Sequence, residues 1–533
     1  MSKSIKIFDT TLRDGTQGEE VCFSADDKLR IAQRLDVLGF HYIEGGWPGS
    51  NPRDKAFFEK AAAHDFRQAK IVAFGSTARP GGDIETDPNL NALLDAETPA
   101  VSIFGKSWML HVNDALGISA DQNVQLIFES IKWMKSCGRE VIYDAEHFFD
   151  GYKDDPDYAV RTLEAARQGG ADILVLCDTN GGMLPHEIYA IVKEVSRMID
   201  APLGIHTHND GELAVANSIA AVQAGCEQVQ GTINGYGERC GNANLCSVIP
   251  NLQFKLGMAT IPEKSIEDLT KCSRFVSELA NLHPNERQPY TGNSAFAHKG
   301  GIHVSAVLKT PRTYEHIEPE AVGNKRRVLV SDLSGKSNLR YKAEELGIDL
   351  DAYGEDLPKI VESLKVREYE GYAYEAAEAS LNLLIHKITE NQSEPIELEG
   401  FRLLIEKNEN NEPRCEATIR VNSEGSTEHT AAEGNGPVHA LDQAFRKALI
   451  RFFPEIEAMR LQDYKVRVLN ENSGTAAKVR VLIDSTCGKR KWSTVGVSEN
   501  IIEASWEALV DSYSYYLQHE MQSASSNNQT IIP

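Results

Sequence analysis

No apolar run in the 533 residues approaches the ~18 that a membrane-spanning helix needs, so no membrane segment is expected. A basic surplus is also missing. Lys and Arg number 55 against 78 Asp and Glu, a formal net charge of −23. Nucleic acid and anionic membrane surfaces both call for a basic face, so neither is expected as a partner. An anionic substrate would have to be met by local cations or by a metal. The nine cysteines include no C-x-x-C pair. They read as reduced, buried thiols, and "MSKSIKIFDTTLRD" at the N-terminus lacks the apolar core of a signal peptide. A cytoplasmic protein is the expectation.

What is present is ordinary globular material, 41% hydrophobic and 25% charged. At roughly 150 residues per domain, the length suits two to four domains, or one large barrel with an appendage. Residues 1–255 alternate between two patterns. Short β-rich runs read "IKIFDTT" (5–11), "HYIEGGW" (41–47), "KIVAFGS" (70–76), "AVSIFGK" (100–106), "EVIYDAE" (140–146), "DILVLCDT" (172–179), "PLGIHTH" (202–208) and "EQVQGTING" (227–235). Amphipathic segments lie between them. "SADDKLRIAQRLDVLGF" opens on a serine N-cap and repeats apolar residues at 31, 35 and 38. "DYAVRTLEAARQGG" and "NDGELAVANSIAAVQAGC" carry glycine at their ends, a helix stop. Eight strand–helix units in about 250 residues predict a (β/α)8 TIM barrel. A doubly wound sheet is the alternative, and the eightfold regularity argues against it.

Beyond the barrel the alternation stops. The expected organisation is a catalytic barrel over 1–280, helical linker subdomains over 281–390, an α+β domain over 391–520 and an unstructured tail over 521–533. The third region repeats itself. "TAAEGNGPVHALDQAFRKAL" (430–449) aligns with "TVGVSENIIEASWEALVDSY" (494–513), each after β-like runs, which suggests two βββα copies.

In a TIM barrel the strand ends carry the chemistry. Here they collect polar groups: Arg13 and Asp14 after the first strand, Glu44 at the second, Glu146 at the fifth, Asp178 and Thr179 at the sixth, His206 and His208 at the seventh. Residues i and i+2 of a strand share a face, so His206 and His208 point together. Asp14, His206, His208 and the carbonyl oxygen of Asn242 in "ERCGNAN" form a mixed nitrogen and oxygen set for one divalent ion. Zn, Mn, Co and Mg all remain open. The plainer readings are two histidines at a sheet edge, a turn aspartate and an N-cap asparagine. Arg13 can meet a carboxylate or a developing oxyanion, or form a salt bridge to Glu44 or Glu146.

"FDTTLRDGTQGE", "DTNGG", "GIHTHND", "NGYGERCGNAN" and "AFAHKGGIH" together resemble the acyltransferases that condense acetyl-CoA with 2-oxo acids. This family holds the 2-isopropylmalate, homocitrate and citramalate synthases and belongs to the DRE-TIM metallolyases. The resemblance covers about 1–520, and "EGGWPGSNPRD" (44–54) looks most like the citramalate branch. It implies metal ligation by Asp14, His206, His208 and Asn242, catalysis by Arg13 and Glu146, and contact of Thr179 with the oxo-acid carboxylate. It implies that His303 and Tyr314 complete the site, often across a dimer, with His303 and Glu146 as the base. Where other members carry an acidic residue before the glycine pair of "GGIH", this chain has Lys299. The C-terminal repeat resembles the family's allosteric dimer domain, which implies a homodimer and an effector amino acid, isoleucine or leucine. Gly434, Asn435 and Gly436 in one copy and Ser498, Glu499 and Asn500 in the other are the candidate effector contacts.

Substrate choice turns on size. Trp47, Phe74, Phe104 and Tyr143 stand near the strand ends and are the expected pocket walls, although each could instead be packing core. Bulky walls favour pyruvate and hence citramalate. The alternatives are 2-isopropylmalate or homocitrate synthase, a lyase running the reverse cleavage, and an inactive amino-acid-sensing homologue.

Overall fold

The structure is a computed structural model, and it describes residues 4–329, 341, 357–389, 396–407, 413–423, 425–469, 477–488 and 490–528. Two compact units make up the chain: Met1–Phe296 with Glu315–Arg326, and Ala297–Tyr314 with Arg327–Pro533. The region expected as a linker is thus divided between them.

The first unit is a closed parallel barrel of eight strands: β1 (Lys6–Asp9), β2 (Tyr42–Gly46), β3 (Lys70–Ser76), β4 (Ala100–Lys106), β5 (Glu140–Glu146), β6 (Ile173–Asp178), β7 (Leu203–Thr207) and β8 (Gln228–Gly231). β8 closes on β1, with Ile7 opposite Val229. All eight β-rich runs became barrel strands. The period of two sorts their side chains. Phe8, Val72, Ile142 and Val175 pack in the lumen, whereas Ile7, Ile103, Tyr143 and Ile205 pack outward into the larger core. The helices start and stop where the sequence signals them. Ser24 caps Ala25–Leu38 in a capping box with Asp27, and Gly39 ends that helix at φ 87°, a left-handed conformation that glycine takes without steric cost. Ile31, Leu35 and Leu38 are its buried stripe.

The second unit contains the repeat. Strands Glu397–Lys407, Pro413–Ser423 and Ser426–Gly434 form one antiparallel sheet, followed by helix Pro437–Leu449. Strands Arg460–Val468, Val479–Cys487 and Arg490–Ser498 form the other, followed by helix Ile501–Asn528. Neither helix can bury its apolar face alone. Phe445 of the first meets Trp506 and Tyr513 of the second at ring-centroid distances of 4.6 and 5.1 Å. The last helix also corrects an expectation: it runs to Asn528, eight residues into the segment expected to be unstructured. "MQSASSNN" holds neither glycine nor proline to stop it. Residues 529–533 lie outside the described ones. No described helix is long and apolar enough to cross a membrane.

Candidate active site at the barrel mouth

Arg13 is the hub. Its Nε donates to Glu44 Oε2 at 2.7 Å and its Nη1 to Asp14 Oδ2 at 3.0 Å. The guanidinium carbon stands 3.8 Å from the centroid of the Phe74 ring. Thr10 Oγ1 also donates to Glu44 Oε2 at 2.5 Å, and the Asp14 amide donates to that hydroxyl oxygen at 3.3 Å. The turn after β1 is therefore tied to β2. Burial works against the charge on Arg13, but Glu44 and then Asp14 raise its pKa further above the ordinary value. Burial likewise opposes ionisation of Asp14, yet Arg13, His206 and His208 hold its carboxyl well below the usual range.

Asp14, His206 and His208 are buried, and their ligand atoms lie within 4.8 Å of one another. The two Nε2 atoms are 3.6 and 3.9 Å from Asp14 Oδ2. Burial, followed by the charge of His206, pushes His208 down to about 4, which leaves it neutral at pH 7 with a lone pair to give. Asn242 donates through Nδ2 to Asp14 Oδ1 at 3.1 Å, while its own Oδ1 is buried with no hydrogen-bond partner. An unpaired buried acceptor beside a carboxylate and two imidazoles fits a divalent cation. The neighbouring glycine makes room for the Asn242 amide. At Gly237, φ 153°, a Cβ would sit 2.1 Å from Asn242 Nδ2.

These residues face a cleft of about 290 Å³ that Trp47, Phe74, Phe104, Asp144, Glu146 and Thr179 also line. Trp47 meets Phe74 edge-on at 5.8 Å and Phe104 at 5.7 Å, and Phe74 stacks on Phe104 at 5.3 Å. Three of the four expected aromatic walls therefore form one surface. Tyr143 does not belong to it. As an odd-numbered residue of β5 it faces the helices, fully buried, with its hydroxyl 3.5 Å from Ser107 Oγ. Asp144 and Glu146 occupy the inward positions instead. Glu146 forms an ion pair with Lys106. Thr179 Oγ1 accepts from the His147 amide at 2.9 Å. His303 and Tyr314 belong to the second unit, where their rings stack on each other at 4.2 Å. A larger cavity, about 360 Å³, belongs to the second unit and is lined by Arg367, Trp506 and Asp511 among others. The converging ligand atoms, rather than cavity size, locate the candidate site.

Sequence reasoning passed over Asp144, Gln230 and Lys106. Burial, then Glu44, raises Asp144 to about 6. Counting back in twos from Glu146 finds Asp144, and the β7–β8 register finds Gln230, the Cα partner of His206.

The HMGL-like family model matches residues 4–276, a homocitrate synthase post-HMGL domain-like model 290–369, and the LeuA allosteric (dimerisation) domain 375–517. The barrel, the C-terminal repeat and these family models define an HMGL-like synthase with a LeuA-type dimerisation domain. Relatives narrow this. (R)-citramalate synthase of Aquifex aeolicus (strain VF5) is 56% identical over 98% of this chain and 99% of its own length. That of Geobacter sulfurreducens is 55% identical over 96% and 97%. A 2-isopropylmalate synthase of Methanocaldococcus jannaschii is 31% identical over 95% and 93%. The chain belongs to the (R)-citramalate synthase family.

Proposed function

We propose that this chain condenses acetyl-CoA with pyruvate and water to give (R)-citramalate and CoA, a carbon-chain extension that leads from pyruvate towards isoleucine. The observation that carries the chemistry is the convergence of Asp14, His206, His208 and the unpaired Asn242 oxygen beside Arg13 in one cleft. The relatives named (R)-citramalate synthase, 45–56% identical over nearly the whole chain, support the substrate.

Asp14, His206, His208 and Asn242 are the proposed ligands of a divalent ion, with Zn, Mn, Co and Mg all compatible with mixed nitrogen and oxygen donors. When bound, such an ion supplies a Lewis acid for the oxo acid's keto and carboxylate oxygens. The chain's own groups do the rest. Thr179 receives the substrate carboxylate. A base, proposed as His303 acting with Glu146 and supported by Tyr314, takes a methyl proton from acetyl-CoA. The resulting enolate carbon bonds to the keto carbon, and the keto oxygen gains a negative charge. Arg13, oriented beforehand by Glu44, Asp14 and Phe74, holds a fixed positive charge where that oxygen lies. Water then cleaves the thioester and releases CoA.

The aromatic surface of Trp47, Phe74 and Phe104 sets the size of the acid. A hydrophobic pocket gains only ~1–3 kcal/mol per methylene, so a larger acid must be refused by steric exclusion. The LeuA-type region is proposed to pair in a homodimer and to bind isoleucine or leucine. Nine cysteines without a C-x-x-C pair fit a reducing compartment, and the cytoplasm is the proposed location. Thiol release from acetyl-CoA across a panel of 2-oxo acids, with and without chelator, tests the reading. Activity that survives exhaustive chelation sinks the metal role, and a preference for 2-oxoisovalerate moves the chain to isopropylmalate synthesis.

A further inference from the structure

A chain of hydrogen bonds crosses the barrel lumen beneath the ligand cluster. Ser102 Oγ on β4 donates to Asp144 Oδ2 on β5 at 2.6 Å. Asp144 Oδ1 accepts from Gln230 Nε2 on β8 at 3.0 Å. Gln230 Oε1 lies 2.9 Å from His206 Nδ1 on β7. Ser102 and Gln230 are fully buried, and Asp144 and His206 are only 4% and 5% exposed, so water does not compete for these bonds. Donor and acceptor roles in the chain are fixed from one end. A carboxylate oxygen can only accept, so the amide nitrogen of Gln230 must face Asp144. Its oxygen must then face His206, and an oxygen facing Nδ1 requires a proton on Nδ1. The lone pair is left on Nε2, the atom 3.6 Å from Asp14 Oδ2.

We propose that Gln230 is a positioning residue that sets the tautomer and ring angle of His206, with Asp144 and Ser102 setting the direction of the Gln230 amide. Gln230 touches neither the oxo acid nor the ion. It acts through His206, as hydrogen-bond partners of ligating histidines generally do. His208 is held differently, because its Nδ1 is buried without a partner. The two imidazoles are therefore unequal: a side-chain relay reaches Nδ1 of His206, whereas His208 has no hydrogen-bond partner at Nδ1 and has Asp14 3.9 Å from its Nε2 and the His206 ring 5.2 Å away.

The inference rests on the metal-site reading, and the test separates the two. Metal-stripped full-length protein is titrated with Co²⁺ alone, followed by calorimetry and by the visible spectrum, which reports nitrogen ligation. Wild-type protein that takes up no Co²⁺ overturns the metal reading beneath the proposal. Given wild-type binding, Gln230→Leu is expected to bind roughly 10–100-fold more weakly with an altered spectrum. Wild-type affinity and spectrum in a folded Gln230→Leu overturn the proposal. Should Gln230→Leu not fold, Gln230→Met, which matches glutamine in length and has no amide, replaces it: weaker Co²⁺ binding with an altered spectrum supports the relay, and wild-type affinity and spectrum overturn it.

Discussion

Arg13 and Glu44 are joined at 2.7 Å at the barrel mouth, with the carboxylate fully buried and the guanidinium stacked on Phe74. This pairing is the salt bridge that the sequence allowed, and it fits the catalytic role proposed for Arg13. A guanidinium held by two carboxylates and a ring face has little freedom left, so it need not reorganise as charge develops on the substrate. Arg13→Lys keeps the charge but loses the planar fork, so it is not conservative here. Its kcat is expected to fall roughly 10²-fold or more. Steady-state kinetics with pyruvate check this, and a change confined to KM would reduce Arg13 to uniform binding of substrate.

His206→Ala and His208→Ala are each expected to lose bound divalent metal and activity together. A buried carboxylate, Asp14, is left with fewer partners in each variant. Metal analysis of the purified variants, set beside their turnover, gives the answer. Full metal content and full activity in both would dismantle the ligand set.

The barrel was legible because parallel strands buried on both sides leave short apolar runs at regular spacing, and all eight runs matched strands. The clustering of the two histidines was legible for a similar reason: His206 and His208 are two apart on one strand, and that spacing needs no knowledge of register. Tyr143 shows where sequence reading stopped. A bulky residue near a strand end says nothing of its face, and one residue of register moves it from cleft to helix layer. Glu146 already fixed that register, which gives the inward places to Asp144 and Ile142. The relay from Ser102 to His206 was not legible, because each member is an ordinary polar residue and only the closed barrel brings four strands together.

Phe104 offers the cleanest test of substrate size. Phe74 also stacks on Arg13, so truncating it disturbs that guanidinium as well as the wall. Trp47 leans on both phenylalanines. Phe104→Ala is expected to raise kcat/KM for 2-oxoisovalerate relative to pyruvate by roughly 10-fold or more, the scale of one or two methylenes. An unchanged ratio would mean that the exclusion lies elsewhere.

Asp9 gives a pH prediction away from the ligands. It is fully buried, accepts from the Thr11 amide at 3.0 Å and from its hydroxyl at 2.7 Å, and burial nevertheless pushes it up to about 7. The folded protein then holds this proton where the unfolded chain has released it. Its stabilising contribution is full below the unfolded value of 3.8 and fades as pH rises through about 7. Asp9→Asn cannot titrate. The difference in unfolding free energy between wild type and variant is expected to change between pH 4 and pH 7 by on the order of 4 kcal/mol. Chemical denaturation across that range measures it, and a constant difference would show that Asp9 ionises normally.

The repeat places its two candidate effector loops at equivalent joints. Gly434, Asn435 and Gly436 lead from strand Ser426–Gly434 into helix Pro437–Leu449, and Ser498, Glu499 and Asn500 lead from Arg490–Ser498 into Ile501–Asn528. Truncating the chain near 390 is a poor test, because Leu381 and Ile385 on the preceding helix share a core with Val495. Asn500 is a poor target too, since its Oδ1 accepts from the Ile502 amide at 2.9 Å and its loss costs a cap, typically ~1 kcal/mol. Asn435 and Glu499 are exposed and better suited. Asn435→Ala and Glu499→Ala are expected to leave kcat unchanged and to raise the isoleucine or leucine concentration for half-inhibition by about 5-fold or more, the lower range of allosteric coupling. Inhibition curves at fixed pyruvate decide it. If both variants follow the wild-type curve, the effector sits away from these joints.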